Sequence, residues 1–123
     1  MNFEQHVAET CKHLEETVLL MGAELHKELS SVAILEDVLI ALINEQDEGV
    51  ISGARYLIVV YLGEIVLKQT GGEWIKSEIN NHIALKIHNQ QSFPIEAVED
   101  FIKDPEKEKL EFFAKGLIAV HGV

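Results

Sequence analysis

Apolar residues at Val7, Cys11, Leu14, Val18, Met21 and Leu25 alternate spacings of four and three, so Phe3 to about Glu28 is expected to form an amphipathic helix with a heptad seam. Leu19 and Leu20 widen that stripe, which suits burial in a globular core better than contact with a single partner helix. Ser30-Ser31 then supply a cap for a second helix with Val32, Leu35, Leu39 and Leu42 inward and Glu36 and Asp37 near its positive end. The run Glu45-Gln46-Asp47-Glu48-Gly49 is expected to stop it. Gly49 suits a helix end, whereas acids there oppose the helix dipole, and a cluster kept at a cost hints at use.

The most apolar window runs from Gly53 to Trp74. Tyr56 to Leu62 taken alone fits a buried strand or a buried helix. Ala54, Leu57, Ile58, Tyr61, Leu62, Ile65 and Val66 share one helical face, Glu64 precedes Lys68 by four residues, and Thr70-Gly71-Gly72 can close a helix through a left-handed residue. A helix is expected, with a strand over 56–62 as the alternative. Gly63 costs such a helix about 1 kcal/mol relative to alanine, which a close approach of another backbone would explain.

Beyond the glycine pair the period changes to two. Ile75, Ser77 and Ile79 share one face and Ile83, Leu85 and Ile87 another, with Asn80-Asn81 as the turn between them. A second turn at Asn89-Gln90 leads to a short strand ending at Phe93. Pro94 opens a helix with Ile95, Val98 and Ile102 inward. Asp104-Pro105-Glu106 reads as the start of a last helix presenting Leu110, Phe113, Leu117 and Ile118 to the core. The expected fold is therefore α+β and a single domain, 1–123. It consists of an N-terminal helical hairpin and a central buried helix, packed with a small antiparallel β-meander and two C-terminal helices.

Composition narrows the function classes. A chain of 123 residues, 47% hydrophobic and 25% charged, is neither disordered nor fibrous. Glu64 and Lys68 interrupt the best apolar window and no charged-then-apolar leader opens the sequence, so a soluble, cytoplasmic protein off the membrane is expected. Cys11 is the sole cysteine, as in a reducing compartment. The net charge is −11, and residues 1–49 carry eleven Asp and Glu against two Lys. That surface repels nucleic acid and anionic lipid and steers basic partners toward itself. Acidity also serves solubility alone.

No catalytic or cofactor motif stands out, and neither catalytic residues nor cofactors are expected. His6, Glu9 and His13 fall near one helical face, but a carboxylate-histidine site needs the pair repeated, and helix two offers Glu36 and Asp37 without a histidine. The triad reads as a polar flank, with no metal expected. Cys11 and His13 point about 200° apart on a helix and cannot meet as a dyad. Ser52-Gly53 and Gly71-Gly72 lack the residues of a phosphate loop. Lys103, Lys107 and Lys109 read as a solvated face, without the aromatic interleaving of a nucleic-acid site. Glu64 on the buried segment either lines a pocket with Tyr61 and Trp74 or pairs with Lys68 or Arg55.

The sequence Tyr61-Leu62-Gly63-Glu64, a Gly-Gly turn at Gly72, Trp74 leading a hairpin, and Pro94 before a helix resembles a group of small bacterial domains, over about residues 54–102. Some of that group are suspected toxin-immunity proteins. The resemblance implies a helix over 54–70 and carries no catalytic residues.

Two functions remain. The first is a non-enzymatic, immunity-like protein-binding module whose acidic helical face, Glu36, Asp37, Glu45, Asp47 and Glu48, captures a basic protein partner. The alternative is a small-molecule-binding module or minor enzyme with a pocket near Tyr61, Glu64 and Trp74. Self-association as a homodimer through the seam of the first helix is a third option.

Overall fold

The structure is a computed structural model describing residues 2–78 and 82–121. Helix α1, Phe3–Leu20, starts from a capping box in which the Asn2 and Gln5 side chains satisfy each other's backbone N–H groups. Of the expected seam, Val7, Cys11, Leu14, Val18 and Leu25 are buried, and Met21, past the end of the helix, is 56% exposed. The helix nevertheless stops eight residues before Glu28. Gly22 takes φ +92° and its N–H returns to the Leu19 carbonyl, while the Ala23 N–H returns to Val18. Leu19 and Leu20 do not widen the stripe: they are 61% and 89% exposed.

A 3-10 turn, Leu29–Ser31, leads into α2, Val32–Glu45. Ser31 does not cap α2; its hydroxyl instead accepts the His26 N–H at 2.9 Å, tying down the chain after α1. Val32, Leu35 and Leu39 are buried as expected. The helix ends at Gln46, left-handed at φ 59°, not at Gly49. Asp47 then caps α3, Glu48–Thr70, its carboxylate accepting the Val50 N–H at 3.2 Å. Asp47 and Glu48 thus sit at the positive end of the next helix, where they are favourable, while Glu45 stays in the last turn of α2.

Helix α3 settles the helix-or-strand question in favour of helix and begins six residues earlier than the resemblance implied. It is the hub of the fold: every residue of 58–63, together with Ile65 and Val66, is buried, and α1, α2, α4, α5 and β2 all pack on it. Its length and apolarity would suffice to cross a membrane, and its stretch 58–66, apart from Glu64, is buried by its own chain. Gly71, at φ +74°, closes it as expected.

Strands β1 (Glu73–Lys76), β2 (Ile83–Ile87) and β3 (Gln90–Ser92) form an antiparallel meander, with Trp74 opposite Leu85 and Leu85 opposite Ser92. The Asn80-Asn81 turn lies outside the described residues. The second turn comes one residue early, at His88-Asn89, because His88 adopts φ 56°. Helix α4, Pro94–Lys103, has proline in its first turn and buries Val98 and Phe101. Helix α5, Lys109–His121, buries Leu110 and Ala114. Helices packed with a small sheet make the fold α+β.

Candidate functional site

The five acids expected to form one binding face separate. Glu36 is 2% exposed and faces inward. Its Oε1 accepts the Glu108 N–H at 3.0 Å, and its Oε2 accepts those of Leu110 at 2.8 Å and Glu111 at 3.3 Å. A carboxylate from α2 therefore caps α5, and Asp104-Pro105-Glu106 does not: Asp104 ends α4 instead, and α5 starts at Lys109. Glu108 reaches this geometry at φ 78°. Asp37 lies outside and pairs with Lys107 at 3.0 Å. Glu45, Asp47 and Glu48 remain together on an exposed corner beside Val50.

Trp74 organises the second candidate region. Gly63 faces its ring so closely that an added Cβ would collide with Cη2 and Cζ2, with Leu85 Cδ2 at 3.3 Å beyond. The close approach is thus an indole, where the sequence suggested a backbone. One residue on, Glu64 accepts the Trp74 Nε1–H at 3.0 Å, and neither Lys68 nor Arg55 is its partner; Arg55 pairs with Glu99 at 3.4 Å. Gly72 brings β1 against β2, leaving a Cβ only 2.6 Å from the Lys86 carbonyl oxygen. Gly63, Glu64, Gly72 and Trp74, four of the residues that carried the resemblance, together clamp β1 onto α3.

In front of this clamp lies an open groove of about 620 Å³. Phe3, Val7, Leu67 and Trp74 line it with apolar surface, and Lys27, Lys68, Glu4, Glu64 and Glu73 with charge. Phe3 meets Trp74 edge to face at 6.3 Å. His6 is close by, its Nε2 2.6 Å from the Tyr56 hydroxyl. Neither Lys27 nor Lys68 makes an ion pair among the described residues. Tyr61 does not join the groove: it is fully buried and donates its hydroxyl to Glu15 Oε2 at 2.7 Å.

Cys11 is buried behind the same region, in the core as the seam implied. Burial pushes its thiol up from 9.0 to about 12, with Lys27 opposing and Glu64 and Glu15 adding to the rise. Burial, then the hydrogen bond to Glu15, also raises the Tyr61 hydroxyl. Both groups stay neutral in the fold at a pH where the unfolded chain ionises them: the thiol's contribution is intact below pH 9 and lost as pH rises toward 12, and the hydroxyl's is intact below pH 10 and lost only at still higher pH. Urea midpoints should be flat from pH 7 to 8.5 and fall above pH 9. Cys11→Ala should flatten part of that alkaline limb, and the native thiol should resist alkylation until the chain unfolds.

His6, Glu9 and His13 do not converge, and among the described residues no three His, Cys, Asp or Glu side chains gather as metal ligands. Of the seam, Val7, Cys11, Leu14, Val18 and Leu25 are consumed inside the chain, whereas Met21 is 56% exposed. Sequence reasoning missed Lys27, Phe3 and Lys68 as neighbours of Trp74, since they come from three separate segments with no shared spacing. Comparison of the chain with protein-family models, with curated proteins and with solved structures finds no match in any of the three.

Proposed function

We propose that this protein is a non-enzymatic binding domain that holds a small amphiphilic anion in the Phe3–Trp74 groove. The observation that carries the reading is the pairing of two lysines free of ion pairs, Lys27 and Lys68, with the apolar wall of Phe3, Val7, Leu67 and Trp74. Lys27 and Lys68 make no ion pair among the described residues and supply the positive charge for an anionic group on their side of the groove, which Glu4, Glu64 and Glu73 also line. Glu64 is occupied by the indole N–H, which fixes the Trp74 ring as a rigid wall. A volume of about 620 Å³ lies in the range of small-molecule sites.

A second reading is the immunity-like one, capture of a basic protein. It is supported by the exposed corner of Glu45, Asp47 and Glu48 around Val50, which is 47% exposed. One set of measurements separates the two. Trp74 is the only tryptophan, so its emission should shift saturably on titration with phenyl- and alkyl-carboxylates, and Lys27→Glu/Lys68→Glu should weaken that response at least tenfold. No shift across the series rejects the groove reading. Salt-sensitive retention of a basic protein, lost in Glu45→Lys/Glu48→Lys and kept in the lysine variant, would favour the corner.

A further inference from the structure

Strand β1 lies at the outside of the meander, with β2 as its one neighbour in the sheet. Just past its end the Ser77 N–H bonds the His82 carbonyl at 2.8 Å, and the register of β1 on β2 sets those two residues directly opposite each other. Theirs is therefore a hydrogen-bonded pair. Such pairs alternate along an antiparallel ladder, so Ile75–Ala84 and Glu73–Lys86 are hydrogen-bonded, and Trp74–Leu85 and Lys76–Ile83 between them are not. The backbone N–H and C=O groups of Trp74 and Lys76 consequently point away from β2. Among the described residues they find no other partner, and no element but β2 packs substantially on β1. The groove follows this free edge: Gly72, Glu73 and Trp74 line it, and no residue of β2 or β3 does.

On the reading of that groove as the binding site, we propose that its ligand is a short extended peptide, with an apolar last residue and a free terminal carboxylate, that adds to the sheet beside β1. Neighbouring strands lie about 4.8 Å apart and send alternate side chains to opposite faces, so a chain paired with Trp74 and Lys76 directs every second side chain toward the apolar wall of Phe3, Val7, Leu67 and Trp74. Main-chain bonds supply the affinity and the wall selects the side chain. Lys27 and Lys68 supply charge for the terminal carboxylate. Glu4 and Glu73, which make no ion pair among the described residues, suit a basic residue upstream in the same peptide. The four residues of β1 offer an edge of about 13 Å, which roughly three or four peptide residues fill.

The test compares phenylpropionate with an acetylated tetrapeptide of lysine, threonine, valine and phenylalanine, prepared as the free acid and as the terminal amide, with Trp74 emission as the readout on the whole chain. The acid peptide should bind at least tenfold more tightly than phenylpropionate, and the amide at least tenfold more weakly than the acid. At saturation, amide exchange should slow at least tenfold at Trp74 and Lys76 and change little at Ile75. Lys76→Pro removes an outward N–H and leaves the ladder to β2 intact, so it should weaken the peptide at least tenfold and phenylpropionate less than twofold. Binding of phenylpropionate with no tighter binding of the acid peptide, or unchanged exchange at Trp74 and Lys76, overturns strand addition and leaves the groove a site for small anions. Equal binding of acid and amide overturns the role given to the terminal carboxylate. Silence of Trp74 toward every ligand, with exchange unchanged, rejects the groove itself and this proposal with it.

Discussion

Replacing Glu36 by alanine is expected to destabilise the fold by about 3 kcal/mol, more than any other single acidic residue here. Three backbone N–H groups at the start of α5 lose their acceptor together. The Leu110 N–H is buried, so water does not freely replace the carboxylate. The positive end of the helix also loses its compensating charge. Glu36→Gln keeps one carbonyl oxygen but turns an N–H₂ group toward backbone donors, so roughly half of the loss should remain. Asp37→Ala is the control, since it removes a neighbouring acid paired with exposed Lys107 and should change little. Urea unfolding of the three variants checks the ranking. Equal midpoints for Glu36→Ala and Asp37→Ala would show that the cap contributes nothing.

Gly63→Ala should destabilise by about 2 kcal/mol although it removes a glycine from mid-helix, where the same change on an open face stabilises by about 1 kcal/mol. The new methyl takes space held by the Trp74 ring and also crowds Leu85 Cδ2 at 3.3 Å. The indole must swing out, breaking the bond to Glu64 and unpacking the wall of the groove. In a Trp74→Ala background the obstruction is gone, and Gly63→Ala should become neutral or stabilising. That reversal of sign in a double-mutant cycle, with red-shifted Trp74 emission in the single variant, identifies the ring contact as the cause. A constant penalty in both backgrounds would place the cause elsewhere.

Sequence periodicity identified all five helices and the meander, because the buried faces repeat at the period of each element. It overran α1, which Gly22 closes eight residues early, and elsewhere erred at boundaries set by residues that are unremarkable locally. Gln46 and His88 take left-handed backbones usually given to glycine or asparagine, and each moved a boundary by one to three residues from its expected place. The shift at Gln46 reassigned Asp47 and Glu48 from an awkward helix end to a favourable helix start, which removes the argument that they are kept for binding. The mid-helix cost at Gly63 was legible, but its partner was not, since Trp74 approaches only after the chain reverses through Gly71 and Gly72. The groove was legible in Glu64 and Trp74 and wrongly extended to Tyr61. That hydroxyl turns to Glu15, and facing one way or the other around the fully buried stretch 58–63 leaves no mark on spacing.

The cap on α5 bears on the order in which the chain can fold. Leu110 and the carboxylate that serves its N–H are 74 residues apart, so α5 lacks a local start signal and its first turn is specified only once α2 stands beside it. Helices α1 and α3 carry their own caps, from Asn2 and Asp47, and can nucleate from adjacent sequence. Helix α5 is thereby placed among the late, high-contact-order steps, joined to α2 as one cooperative unit: releasing α5 strands the buried carboxylate of Glu36, and releasing α2 strands the N–H groups it serves.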